Sequence, residues 1–200
     1  MKQIALTFDD GPGRTIMPQV LDLLKQNDAK ATFFLWGEKI SPETAPVLHR
    51  ALAEGHELAN HSMGHLHMSR LTEQEVKEEV EGLQRLLQPY GVTPTLFRPP
   101  YLDWNGEMLA WIPMPFICGH SNRDWTAETD AEERLRLAQE VTRDGAILLM
   151  HCFEGNEATV AMLEGYLPWL RQQGFRATTV SDLFDRRGIT PEPGKVYNEV

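Results

Sequence analysis

The chain has 200 residues, a length that suits one domain and lets about 70% of the surface of the unfolded chain be buried. Apolar residues at 42% and charged residues at 24% are ordinary for a folded globular protein, which excludes disordered, collagen-like and coiled-coil architectures. Nineteen basic against 29 acidic residues leave a formal charge of −10, a field that repels phosphate backbones and argues against a nucleic-acid partner.

In chain order, Ile4 to Phe8 reads as a short apolar strand that stops at Asp9-Asp10-Gly11-Pro12-Gly13, because proline cannot continue a ladder and glycine tolerates a turn. A helix is predicted over Pro18 to Gln26, a strand over Ala31 to Leu35, and a helix with Ser41 as N-cap and Pro42 at its first position. Glu57 to Ala59 reads as a strand. Val76, Val80, Leu83 and Leu87 recur at helical spacing between Thr72 and Gln88, and Thr72 with Glu75 forms a capping box. Thr95 to Phe97 and Pro115 to Cys118 read as strands, Ala131 to Thr142 as a helix, and Ala146 to Met150 as a buried strand. Val160, Leu163, Leu167 and Leu170 mark a last long helix that Pro168 should kink or split. No apolar run approaches the roughly 18 residues of a membrane span. Cys118 and Cys152 are too far apart for a zinc knuckle or redox pair and read as core residues.

Strands alternating with helices predict βαβ units, hence a parallel sheet or barrel whose ligands gather at the carboxyl ends of the strands. Those ends carry Asp9 and Asp10, Asn60 and His61, Arg98 and Tyr101, Ser121 to Trp125, and His151. The two aspartates can serve two roles, or simply make a solvated turn. His61 and His65, four apart, place both imidazoles on one side of a helical turn and suit a first-row metal; the alternative is a histidine-rich surface loop. Ser62 stands where a zinc-protease motif would have its glutamate base, so a carboxylate such as Asp9 or Asp10 has to come from elsewhere in the chain. Arg98 before two prolines can fork onto a carboxylate or merely order a loop. Asp124-Trp125 offers a carboxylate beside a stacking surface, or an ion pair beside a core tryptophan. His151 projects from a rigid apolar strand, as a catalyst or as a satisfied core histidine.

Taken together, Thr7-Phe8-Asp9-Asp10-Gly11-Pro12, His61-Ser62-x-x-His65, Arg98-Pro99-Pro100-Tyr101, Asp124-Trp125 and Leu149-x-His151 resemble the five ordered motifs of the polysaccharide deacetylase (NodB homology) family, carbohydrate esterase family four. The resemblance implies one catalytic domain over residues 1–200, folded as a distorted, incomplete (β/α) barrel of about seven parallel strands. It implies a divalent metal on Asp10, His61 and His65, zinc first, with cobalt, nickel or iron as alternatives. Asp9 is then the general base, oriented by Arg98; His151 is the general acid beside Asp124. The backbone N–H of Tyr101 meets the oxyanion, and Trp125 and Leu149 wall the acetyl pocket. The implied reaction removes an N-linked acetyl group from a sugar or oligosaccharide.

Ser121 stands where the family usually has a further aspartate, which bears on substrate choice more than on the chemistry. The chain starts almost on its first strand, so the expectation is a cytoplasmic protein, or an exported one if an N-terminal piece is missing. A small-molecule amidohydrolase or deformylase using the same residues is the alternative activity. A silent carbohydrate-binding domain is disfavoured because base, acid and three ligands are all present, and an iron oxygenase leaves Arg98, Asp124 and His151 unexplained.

Overall fold

The computed structural model describes residues 1–200. The elements run β1 (Lys2–Gly11), α1 (Ile16–Gln26), β2 (Thr32–Leu35), α2 (Ala45–Ala53), β3 (Glu57–Asn60), α3 (Glu73–Leu87), α4 (Met108–Trp111), β4 (Phe116–Ile117), β5 (His120–Ser121), α5 (Ala131–Val141), β6 (Ile147–His151), α6 (Glu157–Gln172), β7 (Phe175–Thr178), α7 (Val180–Arg186) and β8 (Val196–Tyr197). All strand ladders are parallel, as the alternation of strands and helices requires. The main sheet has the order β3-β2-β1-β6-β5, with β7 along the first half of β1 and β2 along the second.

The sheet curls into an open barrel. Phe97 bridges the end of β3 at Asn60 and also Phe116 on β4, which pairs with β8. No ladder joins β4 to β5; instead the last residues of the chain run past β4, and Val200 N–H donates to the Gly145 carbonyl ahead of β6. No helix is long and apolar enough to cross a membrane.

Alternation along β1 sorts the interior into two regions. Ile4, Leu6 and Phe8 pack outward into the large core shared with α1, α2 and α6, while Ala5 faces the barrel with Phe34, Ala59, Ile117 and Ile147. Val180, Leu183 and Phe184 of α7 join this inner cluster at the end of the barrel where the strands begin. Thr7 and then Asp9 follow Ala5 on the inward face, so the barrel turns polar only toward its carboxyl end.

Several boundaries differ from the sequence reading for definite reasons. The first helix starts at Ile16 rather than Pro18, because a proline in the first turn of a helix gives up an N–H that has no helical partner anyway. The second starts at Ala45, not at Ser41 and Pro42: a helix from Pro42 would need an N–H at Pro46 to reach the Pro42 carbonyl, and proline has none. Ser41 to Thr44 form a turn in which Ser41 N–H donates to Thr44 Oγ1 at 2.9 Å. Thr95 to Phe97 is not a strand but the single bridge at Phe97, between Pro94 and the Pro99-Pro100 pair. The strand expected over Pro115 to Cys118 shrinks to Phe116–Ile117, bounded by Pro115 and by Gly119 with φ +80°. The last helix is not split at Pro168: Leu163, Tyr166, Leu167 and Leu170 hold it in the core, and Glu164, whose carbonyl loses its donor, is exposed to water. The capping box at Thr72 and Glu75 forms as expected.

His56 is a core histidine beneath β2. Its Nδ1 accepts Ala31 N–H at 3.2 Å, its ring meets Phe33 edge-on, and burial, with Lys30 adding to it, pushes its pKa down to about 4. The folded state therefore binds this proton less well than the unfolded chain, whose imidazole titrates near 6.5. The resulting stability, up to about 3 kcal/mol, is complete above pH ~6.5 and is lost as pH falls toward 4. Urea unfolding at pH 7.5 and 4.5 should show the wild type losing about 2–3 kcal/mol more than His56→Asn; equal losses would remove His56 from the account.

Candidate active site

Asp9 and His151 are register partners on adjacent parallel strands, so both side chains leave the same face of the sheet. Each is held by a buried partner. Arg98 is 0% exposed inside the barrel, its guanidinium 4.1 Å above the Phe34 ring. Nε donates to the Ile117 carbonyl at 2.6 Å, and Nη1 donates to Thr7 Oγ1 at 2.8 Å and to Asp9 Oδ1 at 2.6 Å. The Thr7 hydroxyl proton in turn goes to the Leu148 carbonyl, fixing its lone pair toward Arg98. Asp9 Oδ2 is left facing His61, 3.8 Å from Nε2.

Asp124 is also 0% exposed. Its Oδ1 accepts from His151 Nδ1 at 2.7 Å; its Oδ2 accepts from His151 backbone N–H at 2.7 Å and from Thr159 Oγ1 at 2.9 Å. Burial acts against the imidazolium, but Asp124, with Asp9 and Asp10 behind it, outweighs burial and raises the His151 pKa to about 9. Its Nε2 is therefore a protonated donor at neutral pH.

Asp10, His61 and His65 bring three ligand atoms within 4.8 Å of one another. Asp10 comes from the end of β1 and the two histidines from the loop after β3, not from the helical turn expected for them: Ser62 and His65 have φ of +68° and +56°, and the loop is pinned where Asn60 Oδ1 accepts Ser62 N–H at 2.9 Å. His61 Nδ1 donates to the Arg98 carbonyl at 2.7 Å, which leaves the Nε2 lone pair facing inward. Asp10 Oδ1 lies 3.6 Å from His61 Nε2 and 3.0 Å from His65 Nε2, is buried, and makes no hydrogen bond. Burial pushes the His61 pKa down against the pull of both aspartates, whereas the histidines around Asp10 outweigh burial and hold its carboxyl below the ordinary range. Two imidazole nitrogens and an unpartnered carboxylate oxygen converging at this spacing fit a divalent cation of borderline softness.

Non-glycine residues with positive φ concentrate here: Asp10 near the end of β1, Ser62 and His65 after β3, Tyr101 and Leu102 in the 3-10 turn after the Phe97 bridge, and Arg123 after β5; only Asp28 lies elsewhere. Each such residue costs on the order of 1 kcal/mol and persists where its surroundings over-determine it. Tyr101 illustrates the support. Its ring stacks on His67 at 4.2 Å and meets His65 edge-on at 4.6 Å.

The three clusters open into one cavity of about 610 Å³, lined also by Trp36, Tyr101, Leu102, Ser121, Trp125, Leu149 and Phe153. Trp125 is 54% exposed on its rim, so it is not a core tryptophan, whereas Leu149 is buried in the wall. All ten residues singled out from the sequence thus stand in or directly beneath one cavity. Sequence reasoning missed Trp36, which stacks on His65 at 4.7 Å, and Thr159; it placed Asn60 at a strand end without assigning it the Ser62 N–H. Trp36 follows the β2 strand end directly and carried that positional signal; Thr159 carried none beyond being polar.

The polysaccharide deacetylase family pattern matches residues 1–112. The chain is similar to a bifunctional xylanase/deacetylase of Pseudobutyrivibrio xylanivorans, 39% identical over 95% of this chain and 32% of that protein. It is similar to a peptidoglycan-N-acetylglucosamine deacetylase of Listeria monocytogenes, 35% identical over 98% of this chain and 41% of that protein. The chain therefore spans a third to two fifths of the length of these relatives. The structure of a family 4 acetyl xylan esterase from Clostridium thermocellum in complex with a cobalt ion superposes with a TM-score of 0.96, at 32% identity over 100% of this chain and 99% of that one.

Proposed function

Because this chain belongs to the polysaccharide deacetylase family, we propose that it removes acetyl groups from an acetylated carbohydrate, using one divalent ion held by Asp10, His61 and His65. The observation that carries the proposal is the side-by-side placement of a carboxylate fixed by Arg98 and an imidazolium fixed by Asp124 around that ligand cluster. A divalent ion bound there polarises the acyl carbonyl and brings the pKa of water toward about 7.

The chain's own residues do the rest. Asp9, with Oδ1 occupied by Arg98, takes the proton of the attacking water on Oδ2. The Tyr101 N–H meets the developing oxyanion, a contribution of about 3–4 kcal/mol where such a donor is fixed in place. An amine leaves only when protonated, so His151 passes its Nε2 proton to the leaving nitrogen, and Asp124 keeps the ring oriented and charged until that moment. Leu149 and Trp125 enclose the acetyl methyl. Zinc suits the donor set first, with cobalt, nickel or iron as alternatives.

An N-acetylated sugar or oligosaccharide is the substrate this acid–base pair suits best. An O-acetyl ester on xylan is the second reading, supported by the similarity to the acetyl xylan esterase and to the xylanase-linked relative. Acetate release from N-acetylglucosamine oligomers and from acetylated xylan, after stripping with chelator and reloading with zinc or cobalt, tests both. Release only with metal supports the reading, the faster substrate decides between amide and ester, and release at full rate after stripping would refute it.

Asp124→Asn should move the alkaline limb of kcat to lower pH. The active form has His151 protonated, so activity is lost as pH rises through its pKa, and without the carboxylate that pKa falls from about 9 toward the ordinary imidazole range. A limb that stays in place in a kcat–pH profile would mean that His151 is not the titrating acid.

A further inference from the structure

Arg134, in the second turn of α5, is 4% exposed, and a buried guanidinium needs an anion or a full set of acceptors. No carboxylate touches it. Nε donates to the Thr129 carbonyl at 3.0 Å and Nη2 to the Thr126 carbonyl at 3.0 Å, which folds the segment after Trp125 back on itself. Nη1 donates to Asn156 Oδ1 at 2.5 Å and to Thr159 Oγ1 at 3.0 Å. These two acceptors are the N-cap residue and a first-turn residue of α6, at the positive end of a helix dipole, where a cation is disfavoured unless something offsets it.

The hydrogen-bond directions identify the offset. Once Arg134 donates to the Thr159 oxygen, the hydroxyl's single proton must point elsewhere, and it points to Asp124 Oδ2. Once Arg134 holds Asn156 Oδ1, the amide is oriented so that Nδ2 donates to the His151 carbonyl at 3.0 Å. One buried cation thus orients one side-chain donor toward Asp124 and another toward the His151 carbonyl.

We propose that Arg134 is a positioning residue for the Asp124–His151 pair, acting through Thr159 on the carboxylate and through Asn156 on the histidine backbone. This rests on the reading of His151 as proton donor to the leaving group. It predicts an effect that depends on the leaving group: an amine needs the proton, whereas 4-nitrophenolate departs without it.

Arg134→Met and Thr159→Val should each lower kcat on N-acetylglucosamine oligomers by about 10–100-fold and leave kcat on 4-nitrophenyl acetate within about threefold. Thr159→Ser, which keeps the hydroxyl, should behave as wild type, and Thr159→Val carries the test if Arg134→Met folds poorly. The proton on His151 Nδ1, observed by NMR, gives a readout independent of turnover. Its downfield resonance should shift in both disruptive variants and stay in place in Thr159→Ser. Equal losses on the two substrates, no loss on either, or an unmoved Nδ1 proton would overturn the proposal. A wild type that releases no acetate from the oligomer refutes the function reading instead, while the Nδ1 resonance still decides the role of Arg134.

Discussion

Asp9→Asn should abolish acetate release, by about 10³-fold or more, while the protein still binds one equivalent of zinc. The amide oxygen can keep the Arg98 contact made by Oδ1, so the cavity retains its shape. What disappears is the free Oδ2 beside His61 as a proton acceptor. The comparison is made at a temperature where circular dichroism shows the variant folded, because the substitution leaves a buried guanidinium without its anion. A loss below tenfold with zinc still bound would mean that another group takes the proton.

The second large effect belongs to Arg98. Arg98→Met fits the space over Phe34 but leaves Asp9 as an uncompensated charge that is 2% exposed, and it strips a donor from the Ile117 carbonyl. Breaking one side of a buried ion pair costs about 3–5 kcal/mol, which for a chain of this size lowers Tm by about 10 °C. Arg98→Lys should not rescue it. A single ammonium cannot reach the Ile117 carbonyl and the Thr7–Asp9 pair from one stem, as the planar fork does. Thermal unfolding of both variants checks this; a Tm within 2–3 °C of wild type for Arg98→Met, a shift expected from under about 2 kcal/mol, would show that the Arg98–Asp9 pair is not the internal support described here.

The site was legible in the sequence to the extent that parallel α/β folds put chemistry at strand ends. Asp9, Asp10, His61 and His151 follow apolar or β-rich runs directly, and the strands form where those runs lie. The loops beyond the strand ends were not legible. The left-handed backbone at Ser62 and His65 replaces the helical turn that a four-residue histidine spacing suggests, because Asn60 captures the Ser62 N–H and Ser62 Oγ accepts His65 N–H.

Hydropathy also hides the residues that work by being buried and polar. Nothing about Arg98 in its segment signals that it spans the barrel interior, and nothing about Asp124 signals complete burial. Their partners arrive from residues 19 to 91 positions away, so only the fold brings them together. The end of the chain was silent for a different reason. The apolar run of the strand Phe175–Thr178 is interrupted by Arg176, and Val196–Tyr197 spans two residues, too short for periodicity to register, yet β7 and β8 help complete the barrel.

The account depends most on Asp10, His61 and His65 acting as one metal centre. Calorimetric titration of zinc into the chelator-stripped protein measures this without reference to any substrate. One equivalent should bind to the wild type, and Asp10→Ala and His65→Ala should each weaken binding by at least about 100-fold, since the loss of a ligand exceeds the 10–100-fold cost of losing an outer-shell partner. Zinc that binds all three proteins alike, or none of them, would contradict it.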